Sequence, residues 1–258
     1  MKFRTGLFIA AGACILTGAL IGGIAVANGG LEAEKGVRQE RQIVSDISKI
    51  DISANMGDIT IVRTDKDYIN LVYYETGKKK YDVTDDNNMV KVKPNNTQMK
   101  WYDYINIGLA HGNDITLELP NTFIGDIVID SKMGDVDMSG VSGNVNISLS
   151  YGDIKVSSCE KIKLICADKC GDIELENILG SIEANSKLGD IEFKNISGDI
   201  SLKNACGDIE GTIMGREEEY TVNAKTSVGD NNLQDRSGGT KKLDIKNDCG
   251  DIEVRFVG

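Results

Sequence analysis

The tripeptide Gly-Asp-Ile, or a close relative of it, recurs along most of this 258-residue chain. From residue 134 onward its glycines stand at positions 134, 152, 171, 189, 207, 229 and 250, in steps of 18, 19, 18, 18, 22 and 21. Steps of nine residues also occur, as between Gly125 and Gly134. A repeat of this length builds a fold in which each unit packs mainly on its neighbours.

Each repeat unit predicts a corner followed by a short β-strand. After Gly-Asp the residues alternate between apolar and polar, as in Ile173, Glu174 and Leu175. This period of two indicates a strand with one buried and one solvated face, while glycine allows the turn before it. We therefore predict an all-β fold, a β-solenoid with about two strands per coil of 18–19 residues. Three strands per coil stays open as an alternative.

The N-terminus has the pattern of a membrane-targeting segment. Lys2 and Arg4 precede an uncharged stretch whose apolar body runs from Leu7 to Ala27. This body is long enough to span a bilayer as a helix, and the preceding positive charges predict a cytoplasmic N-terminus. We expect a single-pass anchor in the cell membrane with the rest of the chain extracytoplasmic. A cleaved signal peptide is the alternative, because residues 25–27 (Ala-Val-Ala) fit a cleavage site.

These patterns divide the chain into four segments. Residues 1–30 form the cytoplasmic tip and transmembrane anchor, or the signal peptide, and residues 31–44 form a linker. Residues 45–124 form an N-terminal β region with an aromatic-rich insert. Residues 125–258 form the Gly-Asp-Ile solenoid.

The aspartates of the repeat are the first candidate site. Equivalent positions of successive coils stack about 4.8 Å apart, so these carboxylates would form a column. Such a column could bind Ca²⁺, or each Asp could accept hydrogen bonds from the backbone of its own corner. We favour the second interpretation, because calcium-binding nonapeptide repeats carry more glycines per turn. The candidate calcium residues are Asp135, Asp153, Asp172, Asp190 and Asp208.

Five cysteines follow the apolar segment, and their odd number and irregular spacing do not indicate a disulfide framework. Cys170, Cys206 and Cys249 all precede a corner glycine, and counting in sequence order places them two coils apart. That separation, about 9–10 Å, is too long for a disulfide, so we expect three small core residues. Cys159 with Cys166 is the pair that stays open.

The repeat breaks between residues 57 and 125, and seven of the 14 aromatic residues fall between residues 68 and 104. This insert also contains a polar turn at residues 85–88. It predicts hairpins that cap the open N-terminal edge of the sheet, or a contact surface for a protein or glycan. The candidate contact residues are Tyr73, Tyr74, Trp101, Tyr102 and Tyr104.

The composition argues against several functions. The chain has 29 basic and 40 acidic residues, a net charge of −11, which disfavours nucleic-acid binding. Its one histidine, His111, leaves no nucleophile–histidine–acid set, and no P-loop or zinc-protease motif is present. We expect a non-catalytic protein with no cofactor and no metal.

Five sequence features together resemble those of a known family. They are a short basic N-terminus, one apolar span that ends in Gly-Gly at residues 29–30, Met-Gly-Asp-Ile-Thr-Ile at residues 56–61, Leu-Glu-Leu-Pro at residues 117–120, and the serial Gly-Asp-Ile strands that follow. The chain resembles the putative-adhesin family of bacterial surface β-strand-repeat proteins over about residues 45–258. The resemblance implies a membrane-anchored, adhesin-like binding module and supplies no catalytic residues. Some relatives look like accessory proteins of cell-envelope stress systems, which gives an alternative function through a membrane partner.

Overall fold

The computed structural model describes residues 36–77, 79–95 and 114–258. The all-β prediction is confirmed, since these residues form one hydrogen-bonded sheet of 18 strands with a single 3-10 turn at Glu217–Glu219. The predicted anchor at residues 1–30 lies outside the described residues. In the part of the chain that is described, no helix has the length and apolar character needed to cross a membrane.

The strands are β1 (Val37–Ile43), β2 (Lys49–Ala54), β3 (Ile59–Thr64), β4 (Ile69–Glu75), β5 (Tyr81–Asp86), β6 (Met89–Pro94), β7 (Ile115–Pro120), β8 (Gly125–Met133), β9 (Val136–Ser139), β10 (Gly143–Tyr151), β11 (Ile154–Ala167), β12 (Ile173–Ser186), β13 (Ile191–Ile196), β14 (Ile200–Asn204), β15 (Ile209–Met214), β16 (Tyr220–Thr226), β17 (Lys241–Asn247) and β18 (Ile252–Val257).

The strands lie in two ladders. The front ladder has the order β5-β6-β2-β8-β10-β11-β12-β14-β17-β16. The back ladder has the order β1-β4-β7-β3-β9-β11-β12-β13-β15-β18. Strands β11 and β12 belong to both, because each runs through a bend from the back ladder into the front one.

Pairing within a ladder follows the sequence repeat. Ile154 pairs in parallel with Val136 on one side and Ile173 on the other, and Ile173 pairs with Ile191. Partners are therefore one repeat apart in the sequence, so each repeat adds one strand to each ladder. We call each level of this stack a rung.

The alternating apolar residues form the core between the ladders. Their burial is nearly complete, which confirms the predicted period of two. Burying each large side chain stabilises the fold by about 1.5–3 kcal/mol. The β-branched residues that dominate these positions suit a pleated, half-buried surface. Buried core positions of the repeat are Ile127, Ile129, Val136, Met138, Val145, Ile147, Ile154, Val156, Ile173, Leu175, Ile191, Phe193, Ile200, Leu202, Ile252 and Val254.

The last repeats do not stack in sequence order. Strand β17 lies between β14 and β16, and Ile252 of β18 lies between Ile209 and Asn231. The C-terminal segment is thus inserted between the rung of β14–β15 and the rung of β16. The sequential stacking expected from the repeat is wrong here, because the last two steps of the repeat are longer than the others and let the chain pass over one level.

Antiparallel strands close the N-terminal end. Strand β1 pairs with β4, and β5 and β6 form a hairpin whose two turn residues, Asn87 and Asn88, have φ of 51° and 60°. These angles fit the type I′ turn that such hairpins favour. The hairpin prediction is confirmed, whereas the predicted linker at residues 31–44 is wrong for residues 37–43, which form β1. Alternation does not predict β1, because it is an outermost strand with one buried residue, Ile43.

Candidate functional site

The Gly-Asp corners form one long edge of the stack. A Cβ built on Gly189 would lie 2.1 Å from the carbonyl oxygen of Gly171 on the neighbouring rung, far inside van der Waals contact. Gly189 also has a φ of 132°, which L-residues rarely adopt. Glycine recurs in the sequence because neighbouring corners approach each other this closely.

The aspartates of the corners connect neighbouring rungs. The Oδ1 atom of Asp172 accepts a hydrogen bond of 2.7 Å from the backbone N–H of Asp190, and Asp172 donates its own N–H to Asp153. The predicted interaction with corner backbone is thus correct in kind, but the donor belongs to the next rung rather than to the same corner. The bonds of this ladder, in stacking order, run from Asp135 to Asp58, Asp153 to Asp135, Asp172 to Asp153, Asp190 to Asp172, Asp208 to Asp190, Asp251 to Asp208 and Asp230 to Asp251.

The candidate calcium residues stand together in this ladder. Each of the five accepts a backbone N–H with its Oδ1 atom. The lone pair engaged in that hydrogen bond is then not free to coordinate a Ca²⁺ ion. Among residues 36–77, 79–95 and 114–258, no group of three or more His, Cys, Asp and Glu side chains is placed to hold a metal ion. The geometry therefore gives these aspartates a structural task, and calcium binding by them stays a hypothesis.

From Met133 onward, the residue before each corner glycine of the Asp ladder points to solvent, whereas Met56, before Gly57, is buried. Tyr151 is 60% exposed, Leu188 54% and Val228 65%. The expectation of core residues at this position, made for Cys170, Cys206 and Cys249, is wrong because the glycine turn interrupts the alternation and leaves this side chain outside the corner. We call this row the corner ridge; in stacking order it contains Met133, Tyr151, Cys170, Leu188, Cys206, Cys249 and Val228.

Backbone hydrogen bonds fix the order of the ridge. The N–H of each corner glycine donates to the carbonyl of the ridge residue on the next rung, as from Gly171 to Leu188 (2.9 Å) and from Gly189 to Cys206 (3.1 Å). Seven rungs at about 4.8 Å spacing give the ridge a length of about 29 Å. The ridge is thus a narrow, mostly apolar strip along one edge of the molecule.

Charged residues border the ridge on both sides. Three of its residues follow an exposed lysine directly, at Lys132, Lys169 and Lys187, and the Asp ladder runs along the other side. An apolar strip with a charged margin of both signs resembles the core and rim of a protein–protein interface. The sequence signal for the corner ridge is the apolar residue directly before Gly-Asp. It lies three positions before the first buried strand residue, whereas buried residues within a strand are two positions apart.

A second surface feature lies on the outer face of the back ladder. Four glutamates occupy one position on adjacent strands: Glu174, Glu192, Glu210 and Glu253. Burial raises the pKa of Glu192, and the neighbouring carboxylates Glu210 and Glu174 raise it further. Lys155 offsets part of this charge through a 2.7 Å ion pair with Glu174. The row lines a shallow groove of about 390 Å³.

The predicted aromatic contact surface is only partly described. Tyr73 is 8% exposed and packs edge-to-face on Tyr81 with 5.8 Å between ring centroids, so its assignment to a contact surface is wrong. Tyr74 is half-buried. Lys79 is also buried, 5.3 Å from the Tyr81 ring centroid, and burial lowers its pKa to about 8. The remaining candidates, Trp101, Tyr102 and Tyr104, lie outside the described residues.

The cysteines differ in exposure. Cys159 and Cys166 are buried with free thiols, and burial raises the pKa of both. Cys170, Cys206 and Cys249 are exposed and also free. The two buried thiols thus pack as core side chains, and the three exposed ones belong to the ridge.

Comparison with known protein families identifies two overlapping matches in the chain. The family model described as Toastrack DUF4097 matches residues 47–164 and again residues 144–255. The matched residues cover nearly all of the β-structure described above. No protein with a curated description matches the sequence.

Several solved structures are similar at low identity. A putative cell adhesion protein from Clostridium sporogenes is 9% identical, with 86% of this chain and 100% of that chain covered and a TM-score of 0.41. A putative adhesin from Bacteroides fragilis is 16% identical, with 86% and 97% covered and a TM-score of 0.40. A putative lipid binding protein from Parabacteroides distasonis is 12% identical, with 87% and 97% covered and a TM-score of 0.31. These identities and scores are too low to assign a function.

Proposed function

Because the chain belongs to the Toastrack DUF4097 family, we propose that it is a non-catalytic, adhesin-like binding module that docks a partner protein along the corner ridge. The observation that carries this proposal is the ridge itself, where Tyr151 and Leu188 are more than half exposed. Contiguous apolar strips on a protein surface mark interaction sites more often than isolated apolar residues do. Tyr151 is its only aromatic residue, which favours a protein over a glycan as the partner.

We propose that the two ladders are the opposite faces of a β-solenoid with about two strands per coil. Support comes from the parallel pairing of residues one repeat apart and from the inward position of the alternating apolar residues. In a stack of this kind each coil contacts only the adjacent coils, and the stack is stiff along its length. Its stiffness would hold the ridge residues at fixed spacing, which lowers the entropy lost on binding.

The segment at residues 1–30 is the anchor in this proposal. The positive charges of Lys2 and Arg4 before the apolar run support a cytoplasmic N-terminus and an extracytoplasmic ridge. Strand β1 begins at Val37, only ten residues after Ala27, so the folded part would stand close to the bilayer. The partner would then be a protein at the cell surface or within the envelope.

The proposal is tested by removing the apolar character of the ridge. The double variant Tyr151→Ser/Leu188→Ser in the full chain should capture at least tenfold less of a defined surface protein, since each buried apolar side chain contributes about 1.5–3 kcal/mol. Capture is measured by quantitative mass spectrometry on envelope fractions of the source cell. The matched control is Leu179→Ser, because Leu179 is 37% exposed and lies away from the ridge.

Two outcomes would count against this function. Equal capture by the ridge variant, with an unchanged circular dichroism spectrum, would show that the ridge is not the contact surface. A variant that captures the same proteins but changes the cell-envelope stress response would favour the accessory role with a membrane partner.

A further inference from the structure

The inserted C-terminal segment brings two cysteines onto adjacent rungs. Asn204 pairs with Asn247 and Ile209 pairs with Ile252, so the intervening Cys206 and Cys249 occupy the same position on neighbouring levels. The backbone N–H of Gly207 donates to the carbonyl of Cys249 at 3.0 Å, which fixes this register at the cysteines. In the order of the sequence repeat, a whole rung would separate them.

The geometry of adjacent rungs suits a disulfide. Equivalent residues of paired strands lie about 4.8 Å apart, within the range of about 4.4–6.8 Å between the Cα atoms of bonded cysteines. The two side chains leave equivalent backbone positions in the same direction. Both are exposed and both thiols are free, so an oxidant can reach them.

The other described cysteines lack this arrangement. Cys170 is on the same ridge, but Leu188 occupies the rung between it and Cys206. Two rungs separate the Cα atoms of Cys170 and Cys206 by about 9–10 Å, which exceeds the Cα range of bonded cysteines. Cys159 and Cys166 are buried. Cys170 is therefore an internal control, because it is exposed like Cys206 and Cys249 but has no cysteine at the ridge position of either adjacent rung.

We propose that Cys206 and Cys249 form a redox-sensitive pair whose disulfide ties the C-terminal segment to the rung beneath it. The oxidant is a disulfide-bearing thiol compound. One protein thiolate attacks that disulfide, forms a mixed disulfide and releases one thiol. The second protein thiolate attacks the protein sulfur of the mixed disulfide and releases the second thiol. Two protein thiols are oxidised, one external disulfide is reduced to two thiols, and both protons end on the released thiols.

The bond would secure the part of the fold that departs from sequence order. Strands β17 and β18 hold their place through pairing with the rungs on either side, and within the described ranges no other covalent link ties them there. A disulfide closing the loop between residues 206 and 249 removes freedom from the unfolded chain. We expect oxidation to raise the melting temperature of the full chain by at least about 5 °C, reversibly on reduction.

The experiment uses the full chain in detergent, treated with oxidised glutathione, then alkylated with N-ethylmaleimide and digested without reduction. Mass spectrometry should find the peptides of Cys206 and Cys249 joined, two hydrogens lighter than their sum, with Cys170 alkylated or glutathionylated and linked to no other peptide of the chain. Cys170→Ser should keep the linked peptide and the rise in melting temperature. Cys206→Ser should lose both.

Other results would overturn the proposal. Alkylation or separate glutathionylation of both Cys206 and Cys249 would show that the pair does not close. A link between Cys170 and Cys206 would show that the rung order is wrong. The variant Leu188→Cys supplies a positive control, because it places a cysteine on the rung beside Cys170 and Cys206. In this variant, closure of the pair at positions 170 and 188 with both Cys206 and Cys249 left as free thiols would refute this site alone, and none of these outcomes depends on a binding partner.

Discussion

The Asp ladder makes a quantitative prediction at Asp172. Its Oδ1 atom accepts the Asp190 N–H at 2.7 Å, a short bond with an ionised acceptor. In Asp172→Ala this N–H loses its partner in the protein, while Asp172→Asn retains an acceptor oxygen at the same place. Hydrogen bonds to charged groups contribute about 1.5–3 kcal/mol, and because Asp190 is half-exposed, water replaces part of the loss. We therefore expect the free energy of unfolding to fall by about 1–1.5 kcal/mol for Ala and by under about 0.5 kcal/mol for Asn.

The assays are urea unfolding, which gives the free energy of unfolding, and thermal melting, both followed by far-ultraviolet circular dichroism with and without calcium. For a domain of this size the Ala variant should melt roughly 2–5 °C lower than the wild type, and the Asn variant within about 1 °C of it. Calcium should change neither melting temperature. Equal destabilisation by Ala and Asn would show that the negative charge matters more than the accepted hydrogen bond. If calcium also raised the melting temperature of the wild type but not of Asp172→Asn, the column would be a cation site and the reasoning here would be refuted.

Three further predictions concern corners and carboxylates. Gly189→Ala should lower the free energy of unfolding by more than about 3 kcal/mol, because its Cβ would meet backbone oxygen at 2.1 Å; Gly238→Ala, with positive φ but nothing within 4 Å, should cost only about 1–2 kcal/mol in the same urea titration. Glu192→Gln should stabilise the protein by about 0.5 kcal/mol at pH 7, because it removes like-charge contacts across strands. The pKa of Glu192 is raised in the folded state, so its favourable contribution to the free energy of unfolding is complete below the ordinary value of 4.5 and is lost as pH rises through the folded pKa. Urea titrations between pH 4 and 7 should therefore show a free energy of unfolding that depends less on pH in Glu192→Gln than in the wild type. An equal pH dependence would contradict the assignment. Asp168→Asn should also stabilise the protein at pH 7, since burial raises the pKa of Asp168 more than the nearby backbone N–H groups of Lys169 and Cys170 lower it. Thermal melts at pH 5 and 7 would check this, and a variant less stable than the wild type at pH 7 would refute it.

Local patterns in the sequence were enough to predict the strands of the repeat. The alternation around Ile173 and Leu175 determines which face is buried, because successive side chains of a strand point to opposite sides. The same reasoning assigned glycine and aspartate to the corners. It could not identify the donor to each aspartate, since that donor lies on another rung, a full repeat or more away in the sequence.

The order of the last rungs could not be predicted from spacing. A repeat shows that Cys206 and Cys249 have equivalent environments, but not which levels of the stack they occupy. The last two steps of the repeat, 22 and 21 residues, are long enough for either order. The cysteine distances expected from sequence were therefore wrong for this pair and right for Cys170 and Cys206.

The candidate site was harder to predict than the strands. The alternation breaks at a glycine turn, so it cannot show whether the apolar residue before the turn is buried. For this reason the sequence predicts Cys170, Cys206 and Cys249 in the core, whereas the structure exposes them. The cluster of aromatic residues between residues 68 and 104 instead predicts a contact surface in the insert. Tyr73 belongs to a strand whose inner face is covered, so its ring packs against Tyr81 rather than facing a partner.

Site-specific photo-crosslinking tests the central claim, that the corner ridge is the contact surface, most directly. Benzoylphenylalanine replaces Leu188 or Tyr151 on the ridge, or the exposed Lys203 on the front ladder, in the full chain expressed in its own host. After irradiation we predict one adduct of the same partner mass from both ridge positions and none from Lys203. Adducts of equal yield from all three positions, or an adduct from Lys203 with none from the ridge, would contradict the account.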